Sequence, residues 1–268
     1  MDTKIVFITG ANTGIGYETV KALIQSKKQT YHIFMGSREL PKAYAARDRL
    51  EGLLRPSSST VEVIQIDVTN DASIKAAVKY VEDKFGWINV LINNAGAAFD
   101  GTFDQDGPNL RAIFNNTYDV NVTGAQITTY HFAPLLINSP NARLLFFSSN
   151  NANLSAAFKN FIPTWAPRPE AGWPKDGLVT YQGYKCSKAA LNMCMLIWYQ
   201  LLKDNGVKTF AISPGLLATN LGGHTPEKMR KMGAEDAALG GNLVRSVVEG
   251  ERDSDVGRVI TRDGVQDW

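Results

Sequence analysis

Ile5-Val6-Phe7-Ile8-Thr9-Gly10-Ala11-Asn12-Thr13-Gly14-Ile15-Gly16 decides how this chain folds. Residues 4–9 form an apolar run without polar alternation, which suits a strand buried on both faces of a parallel sheet. The stretch from Tyr17 to Ser26 reads as a helix. Strand, glycine-rich turn and helix in that order make a phosphate site. Glycines admit backbone N–H groups close to the anion, and the helix N-terminus favours its negative charge. The spacing is Gly-x-x-x-Gly-x-Gly rather than the general Gly-x-Gly-x-x-Gly. A mere tight turn is the alternative for such a loop in isolation; the flanking strand and helix favour a bound dinucleotide.

Outward from this loop the pattern repeats. Tyr31 to Gly36, Val61 to Ile66 and Trp87 to Ile92 read as strands, separated by helices at Pro41–Arg55 and Asp71–Phe85. A long helix follows from about Ile113 to about Leu136, then a strand at Arg143–Phe147. A helix carries residue 184 to about Asn205, and Val207–Ser213 is the next strand. A helix at Ala237–Glu249 and a strand at Arg258–Thr261 complete the series. This alternation predicts a single α/β domain over residues 1–268: a Rossmann-type, doubly wound parallel sheet of about seven strands with helices on both faces. Two segments break the rhythm. An insertion at about 153–183 mixes Phe158, Phe161, Trp165 and Trp173 with Pro163, Pro167, Pro169 and Pro174, which predicts an ordered, packed loop. Residues of about 216–235 are polar and glycine-bearing, as a mobile substrate lid would be.

Composition narrows the function classes. Of 268 residues, 44% are hydrophobic and 20% charged, an ordinary globular balance. A net charge of +2 gives no case for nucleic acid or an anionic membrane as partner. No apolar run approaches the ~18 residues of a membrane span, and the short run near the start lacks a signal peptide's cleavage site. Cys186 and Cys194 on one helix would lie about 12 Å apart by helical rise, too far for a disulfide. Reduced thiols suit a cytoplasmic protein. His32, His131 and His224 show no zinc spacing, so no metal is expected.

Chemistry-bearing residues gather where strands end. Arg38 follows the second strand, where an acidic residue would bind the ribose of NAD and an arginine accommodates the 2′-phosphate of NADP. A solvated loop cation is the alternative for Arg38. Asp67 and Val68 follow the third strand; Asp67 is either a turn acceptor or a contact to adenine. Asn93-Asn94-Ala95-Gly96 ends the fourth strand, Ser148-Ser149 the fifth, and Pro214-Gly215-Leu216-Leu217-Ala218-Thr219 the sixth. Asn121 and Gly124 are costly inside a helix and mark a kink or a polar group facing the site. Tyr184 and Lys188, four apart, share one helix face. A tyrosine titrates near ~10; a nearby cation lowers that value, so the pair is a device for moving a proton at a substrate oxygen. A chance surface pair is the alternative while these two residues stand alone. Tyr181 and Lys185 offer an overlapping register.

In this order and context the motifs resemble the short-chain dehydrogenase/reductase family, of the compact type, over essentially the whole chain. The details, including Asp263-Gly264 and Trp268 near the end, look most like carbonyl-reductase-like members found in fungi. The resemblance implies that Gly10, Asn12, Gly14, Ile15 and Gly16 line the pyrophosphate and ribose, and that Asp67 and Val68 hold adenine. It implies that Asn94, Ala95 and Gly96 back the adenosine ribose, and that Pro214, Gly215, Leu217 and Thr219 fix the nicotinamide. Tyr184 would be the acid or base, and Lys188 would lower its pKa and bind the nicotinamide ribose. Ser149, rather than Ser148, would orient a carbonyl, and Asn121 would hold a water. The second register wins because Ser187 precedes Lys188 and Ala189-Ala190-Leu191 follows it, as in the family. The implied activity is NADP(H)-dependent hydride transfer between nicotinamide and a small carbonyl or alcohol. The 35 positions between Ser149 and Tyr184 exceed the family's usual spacing. That excess is either a packed surface excursion or a wall of the substrate pocket that leaves a monomer or homodimer in place of a tetramer. A non-catalytic dinucleotide sensor or scaffold would tolerate damage at Ser149, Tyr184 or Lys188, and all three are intact. An extended-type sugar epimerase or dehydratase would carry a larger region after Pro214.

Overall fold

The apolar run after Thr3 forms β1 (Lys4–Ile8), and the glycine turn leads into α1 (Gly14–Ile24). These belong to a computed structural model that describes residues 3–102, 109–160, 170–173 and 181–268. β2 (Tyr31–Ser37), α2 (Leu40–Asp48), α3 (Glu51–Leu54), β3 (Thr60–Gln65), α4 (Asp71–Phe85) and β4 (Val90–Asn93) follow. Then come α5 (Leu110–Tyr118), α6 (Gly124–Ile137), β5 (Arg143–Phe147), α7 (Leu154–Asn160), α8 (Gln182–Leu202) and β6 (Lys208–Ile212). The chain closes with α9 (Pro226–Lys231), α10 (Ala238–Val248), β7 (Val259–Thr261) and β8 (Gly264–Gln266). The sheet order is β3-β2-β1-β4-β5-β6-β7-β8, parallel except for β8. Its direction of growth reverses between β1 and β4, and in such sheets ligands bind at the strand ends beside that reversal.

Both faces of the sheet are apolar because both are covered. Along β1, Ile5 and Phe7 join a cluster with α4, α6 and α8, while Val6 and Ile8 join the opposite cluster with α1 and α10. Strands buried on both sides lose polar alternation, which is what made them legible. Each fully buried Leu, Ile or Phe contributes roughly 1.5–3 kcal/mol relative to exposure. Outside the core, α8 leaves Met193, Ile197 and Leu201 exposed along one face. Among the described residues no helix is long and apolar enough to cross a membrane.

Several expectations change. The sheet has eight strands rather than about seven: Asp263-Gly264 turns the chain back as the antiparallel β8. The helix expected over Pro41–Arg55 divides into α2 and α3. The long helix expected from Ile113 is α5 and α6, joined by a π-helical turn at Asp119–Thr123. Gly124 is required there, because a Cβ would stand 2.7 Å from the Val68 carbonyl oxygen. In the insertion, Phe158 and Trp173 are 93% and 87% exposed, opposite to the packed-loop expectation. α7 is anchored by backbone bonds instead, among them Ser155 N–H to the Trp268 carbonyl at 2.9 Å. Phe161, Pro163, Trp165, Pro167, Pro169 and Pro174 lie outside the described residues. The expected lid is tied at its base by a parallel bridge between Leu217 and Glu235 and by an ion pair of Glu235 with Arg262.

α1 and α10 approach so closely that a Cβ on Gly241 would overlap the Glu18 carbonyl. Alanine is the better helix former by ~1 kcal/mol, yet overpacking against backbone costs about 1–3 kcal/mol or more. Gly241→Ala is therefore expected to lower the melting temperature by several degrees. Gly52→Ala, with nothing within 4 Å of its Cβ, is expected to leave it unchanged or slightly raised. Thermal unfolding of the two variants checks this.

Candidate active site

At the reversal between β1 and β4, the glycine turn and the end of β4 are locked together. Asn94 Nδ2 donates to the carbonyls of Thr9 at 2.8 Å and Gly10 at 2.9 Å. Thr9 Oγ1 accepts from the backbone N–H of Asn94 and of Ala95, both at 3.0 Å. Gly10 adopts φ +62°, and a Cβ there would lie 3.0 Å from Ala95 Cα. A Cβ on Gly16 would lie 2.5 Å from Asn94 Nδ2 and 2.6 Å from the Gly10 carbonyl. A Cβ on Gly14 would lie 3.5 Å from the side chain of Thr219, and one on Gly240 would lie 2.8 Å from Leu217 and 2.9 Å from Ile15. Thr13 precedes α1 without capping it, so the first-turn N–H groups have no intrahelical partner. This donor set fits a phosphate. Asn12 is half-buried beside it, while Pro214 is buried and Gly215 takes φ +93° at the end of β6.

Beyond β2 and β3 the second group is more open. Arg38 is exposed, and among the described residues its guanidinium has no ion-pair partner; Glu39 beside it pairs with Lys42 at 2.6 Å. Asp67 Oδ1 accepts from Thr69 N–H at 3.0 Å and from Thr69 Oγ1 at 2.7 Å, so it is a turn acceptor. Val68 is buried against Gly124. A groove of about 560 Å³ runs past Arg38, Gln65, Asp67, Asn70, Ser73 and Tyr80, on the opposite side of the reversal from Tyr184.

The third group lies at the ends of β5 and β4. Tyr184 and Lys188 are both buried on α8, with the Lys188 ammonium 5.6 Å from the centre of the Tyr184 ring. Lys188 Nζ donates to the Phe147 carbonyl at 2.6 Å. Ser149 stands close enough to the Tyr184 phenol to hold its pKa down, whereas Ser148 is buried and donates to Asn192 Oδ1 at 2.6 Å. The two serines therefore face different partners. Asn121 lies in the π turn with its side chain fully committed. Oδ1 accepts from Ala97 N–H at 2.8 Å, and Nδ2 donates to the Ala97 carbonyl and to Ser187 Oγ, each at 2.9 Å. The other register separates: the Tyr181 hydroxyl meets His224 Nε2 at 2.8 Å.

Electrostatics correct one expectation. Lys188 was expected to lower the pKa of Tyr184. Instead burial pushes the phenol up to about 12, opposed by the Ser149 hydrogen bond. Burial also pushes the Lys188 ammonium down to about 8. Desolvation disfavours whichever form is charged, and it is the leading cause for both groups.

Sequence reasoning missed Asp100, Gln266 and the role of Ser187. Asp100 is buried and accepts from the backbone of Gly183 and Tyr184. Gln266 on β8 donates to the Ser149 carbonyl at 3.4 Å. A signal for Asp100 exists: α8 begins Gln182-Gly183, without the Ser, Thr, Asp or Asn that usually caps a helix, so an acceptor from elsewhere was required. For β8 the signal was the Asp-Gly turn dipeptide. Among the described residues no group of metal-type side chains comes together.

A glycine turn at the reversal of a doubly wound sheet, facing a buried Tyr/Lys/Ser group, defines a class of nucleotide-binding α/β protein. A family profile described as short chain dehydrogenase matches residues 4–160. A short-chain dehydrogenase/reductase of Talaromyces stipitatus, tropE, is 43% identical over 98% of this chain and 97% of its own. Another from a Phoma species, eupG, is 38% identical over 98% and 97%. The fold matches the NADPH-bound carbonyl reductase from chicken fatty liver with a TM-score of 0.77 at 23% identity, covering all of both chains. It matches the carbonyl reductase Sniffer of Caenorhabditis elegans at 0.71 and 23%, covering 99% of each. The chain belongs to the short-chain dehydrogenase family of oxidoreductases.

The division between the serines is testable. Ser148→Ala leaves the buried Asn192 amide without its partner, at a cost of about 1–3 kcal/mol, and is expected to lower stability while turnover of the folded enzyme stays within a few fold. Ser149→Ala is expected to do the reverse, with little change in stability and turnover reduced about 100-fold. Urea unfolding and steady-state assays of both variants make the comparison.

Proposed function

We propose that this chain is an NADP(H)-dependent oxidoreductase that reduces a ketone or aldehyde, with Tyr184 as proton donor. One observation carries the reading: a buried phenol, beside Ser149 and with an ammonium 5.6 Å from its ring centre, at the strand ends beside the glycine turn. The cofactor, when bound, supplies the hydride. The chain's own residues do the rest. Gly10, Asn12, Gly14, Ile15 and Gly16 hold the pyrophosphate and adjoining ribose. Asn94, Ala95 and Gly96 back the adenosine ribose, and Asp67 and Val68 border the adenine. Arg38 receives the 2′-phosphate, supported by its place in the lining of the groove and by the lack of an ion-pair partner among the described residues. Pro214, Gly215, Leu217 and Thr219 seat the nicotinamide, supported by the contact of Thr219 with Gly14. Lys188 binds the nicotinamide ribose.

At the reacting carbonyl, Ser149 donates a hydrogen bond to the oxygen that gains charge, and Tyr184 transfers its proton to that oxygen. The upward pKa of Tyr184 serves this direction, because the phenol is protonated at any physiological pH. Asn121 acts by holding Ala97 and Ser187 in place, beside the end of Lys188, and a water at this point would link Lys188 to solvent. The segment from Leu217 to Glu235 closes over the substrate.

NADPH consumption over a panel of aldehydes and ketones tests the activity. Wild type is expected to turn over at least one class with NADPH preferred to NADH, and Tyr184→Phe is expected to lose at least 100-fold. Undiminished turnover in Tyr184→Phe would refute the proton-transfer role, and an NADH preference would refute the role of Arg38. The pH dependence has a defined sign. Lys188 is charged below about 8 and loses its proton above it, while Tyr184 stays protonated through that range. Reduction is expected to hold steady near neutrality and to fall above about pH 8, and Lys188→Arg is expected to move that fall upward.

A further inference from the structure

We propose that Asp100 is a positioning residue for Tyr184, a remote carboxylate that fixes where α8 begins relative to the glycine turn; this rests on Tyr184 being the proton donor. Asp100 is 7% exposed. Its Oδ1 accepts from Gly183 N–H at 2.8 Å and its Oδ2 from Tyr184 N–H at 3.1 Å. Both oxygens are thus spent on consecutive amides, one of them the amide of Tyr184 itself. Helix N-termini leave N–H groups unpaired and carry partial positive charge, so a buried carboxylate is stabilised there without a cation.

α8 has no cap of its own. The residue before it, Tyr181, takes φ +61° and makes no capping bond with its side chain. The fit around Asp100 is close: a Cβ on Gly183 would lie 3.2 Å from Ile113 Cγ2 and 3.4 Å from Asp100 Oδ1. The segment that delivers Asp100 is the one that leaves β4. It carries Asn94, which grips the glycine turn, and Ala97, which Asn121 couples to Ser187 on α8. α8 is therefore held at two points by one short stretch whose other end is bonded to the glycine turn. Asp100 makes the contact nearest Tyr184. It acts through the Tyr184 backbone, setting the phenol against Ser149.

Asparagine has the same shape but only one acceptor, and its amide nitrogen would face an N–H. Asp100→Asn therefore keeps one bond and sets donor against donor. Asp100→Ser keeps a capping oxygen that can serve one amide. The test measures thermal stability, NADPH affinity by fluorescence, and kcat and KM for the carbonyl compound the wild type reduces fastest. Both variants are expected to lose about 10–100-fold in kcat, the scale of a misplacement near 1 Å. NADPH affinity is expected to stay within about twofold and KM to change little. A kcat within about twofold of wild type in either folded variant would overturn the proposal. So would a kcat loss matched by an equal loss of NADPH affinity and folded fraction, which is what a merely structural cap would give. The ring signal of ¹³C-labelled Tyr184, assigned with Tyr184→Phe, separates this claim from the proposed reaction. If the wild type reduces no carbonyl compound, the activity falls, yet a shifted Tyr184 signal in Asp100→Asn still upholds the positioning. An unshifted signal overturns it.

Discussion

The Asn94 side chain is the fastening on which the site depends. Its amide spans from the end of β4 to two carbonyls of the turn after β1, closing the point where the sheet reverses. Two backbones can approach this closely only where side chains are absent, so Gly10 and Gly16 follow from the bond, as does the small Ala95. The turn then presents its N–H groups outward at the start of α1, at fixed distance from β4. From Asn94 the same stretch runs on to Gly96, Ala97 and Asp100, each touching something that touches Tyr184 or Lys188. The glycine turn and the Tyr184/Lys188 pair are thus registered through about seven residues of backbone.

Burial sets the electrostatics of the proton-transfer end. A phenol pushed up and an ammonium pushed down are two outcomes of one desolvation. The pair is arranged to keep a proton on Tyr184 and to hold a labile charge beneath it. That polarity suits reduction, where the phenol gives a proton to an oxygen gaining charge, and Ser149 stands where it can share that oxygen. In the proposed reaction the phenol regains its proton after each turnover. Lys188 is the adjacent group whose own proton is loosely held.

What the sequence made legible was local. Ile5–Ile8 and Leu144–Phe147 announced themselves because both sheet faces are covered, and the glycine turn because it stands between a strand and a helix. Ser149 and Lys188 were found from their neighbours in sequence, and the structure brings both to Tyr184. What stayed hidden depended on contacts across distance. Asp100 bonds to a residue 83 positions away, and no property of residues 97–110 distinguishes it from Asp104 or Asp106. The π turn at Asp119–Thr123 lies beside the close approach of Gly124 to Val68, which helix periodicity does not reveal. The pKa of Tyr184 was misjudged because the sequence shows a cation four residues on but not the depth at which both are buried. Phe158 and Trp173 looked like packing residues by type, yet their surroundings leave them exposed.

In the proposed reaction the site passes a hydride to a carbonyl carbon while Tyr184 protonates the oxygen. Isotope transfer tests it most directly: NADPH deuterated at the transferring position of the nicotinamide is incubated with the reduced carbonyl compound, and the product is examined by mass spectrometry and NMR. One deuterium is expected on the former carbonyl carbon, in a single configuration, with none acquired there from D₂O when unlabelled NADPH is used. Deuterium appearing on that carbon from solvent, or remaining wholly on the cofactor while product forms, would contradict it.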